Sequence, residues 1–476
     1  MSELHEECGV FGAYARELES LSKMAYYGLY ALQHRGQESC GIVVCDDGVF
    51  TSHRDLGTVG EVFPRERIER FPLGTMAVGH VRYGTTGGNN QANCQPVVVN
   101  HMKGKLALAH NGNLSNAYEL RTELELGGAI FHGTSDTEII AYIITQQRLK
   151  TPSIEQAVCC AMDQLDGAYS LVIMSAAKMI AARDPRGFRP LCYGITERGT
   201  YVIASESCAL SAVGAEFQRD VLPGEIITFD ANGVHSDRSH CGTQLRRSCI
   251  FEYIYFARPD SVIDGVSVHE ARKNAGRLLA RRHPVDADMV IGVPDSGLDA
   301  ALGYAEESGI AYGMGFIKNK YIGRTFISPG QGERMNQVRI KLSPIVHAVK
   351  GKRIVLIDDS IVRGTTSGQI VKLLRDAGAA EIHMRISSPP FRNPCYYGTD
   401  IDSRDRLIAC HKTVDEIAET IGADSLGYLE VEDLSQMVGG FEFCHACFSG
   451  CYPTPIPEHT QKDRFETKLS EREKKA

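Results

Sequence analysis

Four apolar residues, Ile354 to Ile357, three of them β-branched, run directly into Asp358-Asp359 and then Ser360-Ile361-Val362-Arg363-Gly364-Thr365-Thr366-Ser367. Such a run reads as a strand buried on both faces, the habit of parallel sheets. A helical pattern starts near Ser367, continues through Ile370, Val371, Leu373 and Leu374, and stops at Gly378. Strand, small-residue turn and helix start together aim backbone N–H groups and a helix N-terminus at an anion, most often a phosphate. The two carboxylates would repel that phosphate unless they face sugar hydroxyls or Mg²⁺. These residues therefore predict a sugar phosphate held with a metal. The Gly-Lys-Ser/Thr ending of a P-loop is absent. The plainer alternative is a pair of acids that merely ends a strand, followed by a helix cap.

The surrounding residues, from about 250 to 430, alternate helix and strand. Strands are predicted at Met289–Val293, Ala311–Ile317, Arg353–Ile357 and Glu381–Ile386, and helices at Leu298–Ser308 and Ser367–Ala377. That alternation predicts a parallel α/β sheet, with ligands at the carboxyl ends of the strands, where Asp358 and Asp359 sit. The polar stretch Lys318–Ser343, with Gly323, Gly330, Gly332 and several arginines, is long enough to be a lid or a disordered connector; beside a phosphate site it reads as a lid.

Residues 8–240 are strand-rich instead. Strands are predicted at Thr75–His80, Lys105–His110, Ser170–Met174, Met179–Ala182 and Tyr201–Ser205. A hairpin over Gly224–Val234 takes Asn232-Gly233 as its turn. Helices are predicted at Leu18–Gln33, Asn116–Leu126, Thr137–Gln147 and Ile154–Leu165. The charged end, residues 458–476, has no apolar face and reads as a solvated tail.

Composition narrows the function classes. A chain of 476 residues with 43% hydrophobic and 23% charged content has the make-up of a water-soluble protein of two or three domains. A net charge of −8 gives no sign of nucleic-acid binding. No apolar run approaches the roughly 18 residues that span a bilayer, so no membrane partner is expected. The acidic start Met1 to Glu7 is unlike a secretory signal, and the cytoplasm is the expected location. Fifteen cysteines in a reducing compartment point to catalysis or metal binding before disulfides.

Two resemblances add to this. The Asp358-Asp359 loop, through Ser360, Ile361, Val362, Arg363, Gly364, Thr365 and Thr366, resembles the phosphoribosyl-diphosphate (PRPP) loop of type I phosphoribosyltransferases. Cys8-Gly9-Val10-Phe11-Gly12 resembles the start of the N-terminal-nucleophile (Ntn) glutamine amidotransferases. That likeness continues through Leu32 to Glu38, Gly79 to Tyr83, His110 to Leu114 and Thr134 to Glu138. Together they cover Cys8 to about Pro457. They imply an α+β Ntn hydrolase domain, a four-layer αββα fold over residues 8–240, followed by an α/β type I phosphoribosyltransferase domain over residues 250–457.

The amidotransferase likeness implies a propeptide, residues 1–7, cleaved after Glu7. Cleavage would leave Cys8 with both a thiol nucleophile and an α-amino base, whose pKa is about 7.7–8.0. It assigns Arg82 to the glutamine α-carboxylate and Asp136 to its α-amino group. The Asn111 side chain and the Gly112 N–H would form the oxyanion hole. Alone, each residue has a plain alternative: a stray cysteine, a surface arginine, an ordinary turn. The transferase likeness makes Val293-Pro294-Asp295-Ser296-Gly297 the pyrophosphate loop, places Mg²⁺ near Ser296, Asp358 and Asp359, and sends Lys318, Lys320 and Arg324 of the lid toward the diphosphate. The implied reaction is attack of ammonia from glutamine on ribose C1 of PRPP, releasing pyrophosphate and giving 5-phosphoribosylamine. An internal passage would keep the ammonia neutral and undiluted. The family implies feedback inhibition by purine nucleotides and a homotetramer.

Cys444 and Cys447 form a lone CxxC, compatible with zinc, an iron–sulfur cluster, a redox pair or no function at all. Ser248 to Tyr255 and Asn393 to Tyr397 resemble the subgroup that carries a [4Fe–4S] cluster, which implies Cys249, Cys395, Cys444 and Cys447 as ligands and a structural or oxygen-sensing role. Cys451 departs from that pattern and could replace a ligand, but is expected to be a spare buried thiol. Two rival functions stand beside this one. An amino-sugar synthase with the same amidotransferase half would need a sugar-isomerase domain, which the Asp358-Asp359 loop argues against. A non-catalytic PRPP-binding oxygen sensor would not need Cys8, Arg82, Asn111 and Asp136 together.

Overall fold

Strand Gly9–Glu19 shows why the first part of the chain layers as it does. Its alternate residues face opposite ways. Phe11, Ala13 and Ala15 pack on one side with helix Leu21–Ala31, while Val10 and Tyr14 pack on the other with a second sheet. The same division separates Ile42 and Val44 from Val43 and Cys45, and Leu171 and Ile173 from Val172 and Met174. Strands apolar on both faces must be covered on both faces. The structure, a computed structural model, describes residues 8–83, 90–319, 341–399, 401, 403–440 and 442–457.

In it a seven-stranded sheet (in spatial order Ala215–Asp220, Cys192–Thr196, Tyr201–Ala204, Gly9–Glu19, Gly74–Arg82, Ser39–Asp46, Val49–Leu56) faces a six-stranded one. The second runs Gly233–Asp237, Ile226–Asp230, Met179–Arg183, Gly167–Met174, Gly104–Leu114, Val97–His101. Helices Leu21–Ala31 and Ser207–Ala212 cover the outside of the first, and Ala117–Leu126, Asp136–Lys150 and Ile154–Met162 the outside of the second. This is the expected αββα stack. Gly28 lets the first helix lie close, since a Cβ there would stand 2.2 Å from the Phe11 ring.

The second unit is a parallel sheet in spatial order Met289–Gly292, Arg353–Asp358, Glu381–Ile386, Ser425–Tyr428. Helices Val268–Arg282 and Leu298–Ser308 pack on one face, and Thr365–Asp376 and Val414–Ile421 on the other. Ile354, Val355, Leu356 and Ile357 are fully buried, as a central parallel strand requires.

Several expectations need correction. Ala311–Ile317 is not a strand of the parallel sheet. Tyr312 makes a single parallel bridge to Val290, and only Phe316–Lys318 is a strand, pairing antiparallel with Leu342–Pro344 in a separate ribbon. Gly313 and Gly315 interrupt the run and weaken its strand pairing. The predicted helix Leu18–Gln33 begins at Leu21, because Leu18 and Glu19 finish the preceding strand. The hairpin loop is Ala231-Asn232, with Asp230 paired to Gly233. The helix predicted from Ser367 starts at Thr365, right after Gly364 at φ +81°. Lys320, Arg324, most of the lid, residues 1–7 and the tail 458–476 lie outside the described residues.

Candidate active site

Cys8 is buried at the head of strand Gly9–Glu19. Gly9 is in register with Val81, so Cys8 lies beside the end of the strand that carries Arg82. The Cys8 Sγ is 3.5 Å from the Tyr83 carbonyl oxygen. Asn111 and Gly112 come from the facing sheet, on strand Gly104–Leu114. Asn111 is fully buried, and its amide oxygen and nitrogen have no hydrogen-bond partner among the described residues. A buried amide with both ends unpaired is costly unless a ligand completes it. Gly112 is at φ +138°, and a Cβ there would meet the Ala168 oxygen at 2.1 Å, so only glycine fits.

Asp136 opens helix Asp136–Lys150 and is buried. Its Oδ2 accepts a hydrogen bond from the Leu114 N–H at 3.0 Å, and its Oδ1 is 3.5 Å from His110 Nδ1. Burial would push its carboxyl up, but His110, the Leu114 N–H and the Arg82 guanidinium hold it below the usual range. Cys8, Arg82, Asn111, Gly112 and Asp136 are therefore brought toward one end of the two facing sheets.

Sequence reasoning missed what anchors this end. Arg35 is fully buried, and its Nε donates to the Cys8 carbonyl at 3.0 Å. Its other nitrogens donate to Glu206 at 2.7 Å and to both oxygens of Glu252 at 2.8 and 2.9 Å. Arg189 donates to the same Glu252 at 3.1 Å and to the Tyr397 carbonyl at 2.8 Å. Arg35 stood inside the quoted stretch Leu32 to Glu38, but nothing in the sequence pairs it with acids so far along the chain.

In the second unit, Asp358 ends its strand and Asp359 follows, both buried. Ser296 donates to Asp359 Oδ1 at 2.6 Å, and Ser360 donates to the other oxygen. The pyrophosphate-loop segment presses on this strand end: the Val293 N–H donates to the Ile357 oxygen at 2.9 Å, and a Cβ on Gly297 would stand 2.3 Å from that oxygen. Burial, then Asp359, pushes the Asp358 carboxyl well above its usual range. Two buried acids in this state suit a divalent cation, which would neutralise both. Ile361 and Val362 pack into the core, while Arg363 and Thr365 are exposed, Thr366 is half-buried, and helix Thr365–Asp376 begins at the loop's end. Lys318 is paired with Asp295.

Cys249, Cys395, Cys444 and Cys447 line one narrow apolar cavity with Phe188, Phe251, Phe391 and Tyr397. Strand Ser248–Cys249 pairs in parallel with Phe443–Cys444, and the Tyr397 N–H lies 3.4 Å from the Cys395 sulfur. Burial pushes the Cys444 and Cys447 thiols up, and their cysteine neighbours push them further. Cys451 does not line the cavity, and it is exposed rather than the buried spare thiol expected. Among the described residues, no three His, Cys, Asp or Glu side chains converge where a single ion could sit.

Fold and site together define a glutamine amidotransferase joined to a phosphoribosyltransferase-type sheet. A model of the glutamine amidotransferase domain matches residues 81–212. The chain is 48% identical to the amidophosphoribosyltransferase of Methanocaldococcus jannaschii, over 94% of this chain and 98% of that one. The solved Bacillus subtilis glutamine PRPP amidotransferase, complexed with ADP and GMP, superposes with a TM-score of 0.88 at 47% identity, over 95% of this chain and 98% of that one. A structure described as the allosteric regulatory enzyme of purine biosynthesis gives 0.90 at 47% identity, over 97% and 100%. The chain belongs to the amidophosphoribosyltransferase family, glutamine-dependent transferases of purine biosynthesis. The non-catalytic sensor finds no support in these relatives. Among the described residues no helix is long and apolar enough to cross a membrane.

Proposed function

We propose that the chain makes 5-phosphoribosylamine from glutamine and PRPP in two linked half-reactions, with the residues above in the roles their chemistry suits. The observation that carries this reading is the buried, unpaired Asn111 amide beside Gly112, on the sheet facing Cys8. Removal of residues 1–7 frees the Cys8 α-amine, which takes the thiol proton as the sulfur attacks the glutamine amide. Asn111 and the Gly112 N–H hold the oxyanion. Arg82 grips the α-carboxylate and Asp136, kept ionised, grips the α-amine. Ammonia leaves and water releases glutamate.

At the second site the backbone N–H groups from Ser360 to Thr366 hold the 5′-phosphate, and Asp358 and Asp359 hold the ribose hydroxyls. Ser296, Asp358 and Asp359 would hold Mg²⁺, which would supply positive charge to offset that of the departing diphosphate. Asp295 and Ser296 line its path, with Lys318, Lys320 and Arg324 as lid cations. Ammonia delivered internally stays neutral, whereas in bulk water at neutral pH it is mostly ammonium. Asp359→Asn should lower glutamine-dependent pyrophosphate release on the order of a hundredfold, read in a coupled pyrophosphate assay. An unchanged rate would overturn the Asp359 role.

Four thiols around one apolar cavity supply the four thiolate ligands that a [4Fe–4S] cluster takes, with one Zn²⁺ as its competitor. Such a cluster would tie Cys249, Cys395 and the carboxyl-terminal Cys444 and Cys447 together. Protein purified without air should be brown and yield iron and sulfide; colourless protein holding zinc would refute the cluster. The ADP and GMP bound to the Bacillus subtilis relative support feedback by purine nucleotides here. A homotetramer in the cytoplasm completes the reading.

A further inference from the structure

A second cysteine–histidine–carboxylate constellation lies apart from both sites. Cys159, on helix Ile154–Met162, has its sulfur 3.9 Å from His240 Nδ1 and 3.5 Å from Ser239 Oγ. The other imidazole nitrogen is tied down: His240 Nε2 is 2.8 Å from Oδ1 of Asp163, the residue that caps the same helix. A carboxylate only accepts, so Nε2 carries a hydrogen, and Nδ1 is the nitrogen that faces the thiol and, at 3.3 Å, the Ser239 hydroxyl. Nucleophile, base and orienting acid stand in the order that activates a weak nucleophile. Cys159 is half-buried beside the exposed Asp163, so the residue keeps part of its surface in solvent. Burial pushes the Cys159 thiol up, against the Ser239 hydrogen bond, so the sulfur rests protonated and needs a base when it reacts. The arrangement is not a metal site, since no three such side chains converge on an ion position among the described residues.

We infer that Cys159 is a reactive thiol that His240 activates for exchange with small-molecule disulfides. The Cys159 proton passes to His240 Nδ1. The sulfur attacks one sulfur of the disulfide, a new S–S bond forms, and the old one breaks. The other half leaves as a thiolate and takes the proton from the imidazolium. The disulfide is the only oxidant consumed, and the product is a mixed disulfide on the outer helical layer of the first unit.

The test treats the full chain with glutathione disulfide and follows the adduct on each cysteine by peptide mass spectrometry. The adduct should form on Cys159 about tenfold faster than on the exposed Cys410 and Cys451. His240→Ala should bring Cys159 down to the rate of those two thiols, while pyrophosphate release by the unmodified protein is unchanged. Asp163→Ala, a change at an exposed position, should act in the same direction and covers the case in which His240→Ala disturbs folding. Equal rates on Cys159, Cys410 and Cys451, or a Cys159 rate that neither variant lowers, would overturn the inference.

Discussion

Cys8→Ala abolishes glutamine-dependent formation of phosphoribosylamine, by at least about 10⁴-fold, and leaves the ammonia-dependent reaction within about twofold of the parent. The split follows from the architecture. Cys8 belongs to the paired antiparallel sheets, whereas Asp358 and Asp359 end a strand of the separate parallel sheet, so removing one sulfur does not touch the PRPP loop. If Arg82 and Asp136 hold glutamine as proposed, the variant should still bind it without hydrolysing it. Cys8 also adjoins the bond after Glu7, and its sulfur is the nucleophile we expect to open that bond. Intact mass should therefore show that the variant keeps Met1 to Glu7 while the parent loses them. Loss of both nitrogen sources together would show that Cys8 supports the second unit structurally, and would sink the assignment.

What could be read in the sequence depended on how close together the partners lie along the chain. The strand, acids and turn of Ile354 to Thr366 are consecutive, so their chemistry was visible and the structure keeps it: the strand is buried and the acids sit at its carboxyl end. Arg82, Asn111 and Asp136 are scattered, and only a family resemblance could join them. Short strands with mixed composition, such as Cys192–Thr196 and Ser425–Tyr428, gave no periodic signal at all, because four or five residues with Gly and Ser among them do not alternate clearly. Leu18 and Glu19 were absorbed into the following helix for the same reason: a strand's last apolar residue looks like a helix's first. The buried ion network was wholly illegible. Arg35 lies 171 residues from Glu206 and 217 from Glu252, and charged residues are read from sequence as surface until their partners are seen.

That network sets the second large effect. Glu252→Ala should destabilise the protein by about 3–5 kcal/mol. Glu252 receives both terminal nitrogens of Arg35 and one of Arg189, and all three side chains are buried. Burial opposes the charge on Arg35, yet Glu252 and then Glu206 hold its guanidinium charged. Without Glu252, Arg35 is left with Glu206 and Arg189 loses the carboxylate 3.1 Å away, so positive charge in the interior is less well compensated. At roughly 2–4 °C per kcal/mol, the melting temperature should fall by about 10 °C. Glu252→Gln keeps one acceptor oxygen and should fall less. Because Arg35 Nε also holds the Cys8 carbonyl, the loss reaches the nucleophile. Glutamine-dependent turnover should drop further than ammonia-dependent turnover at a temperature where the variant is still folded. An unchanged melting temperature would mean that the Arg35–Glu252–Arg189 charges do not hold the two units together, and equal losses with both nitrogen sources would mean that Arg35 does not set the position of Cys8.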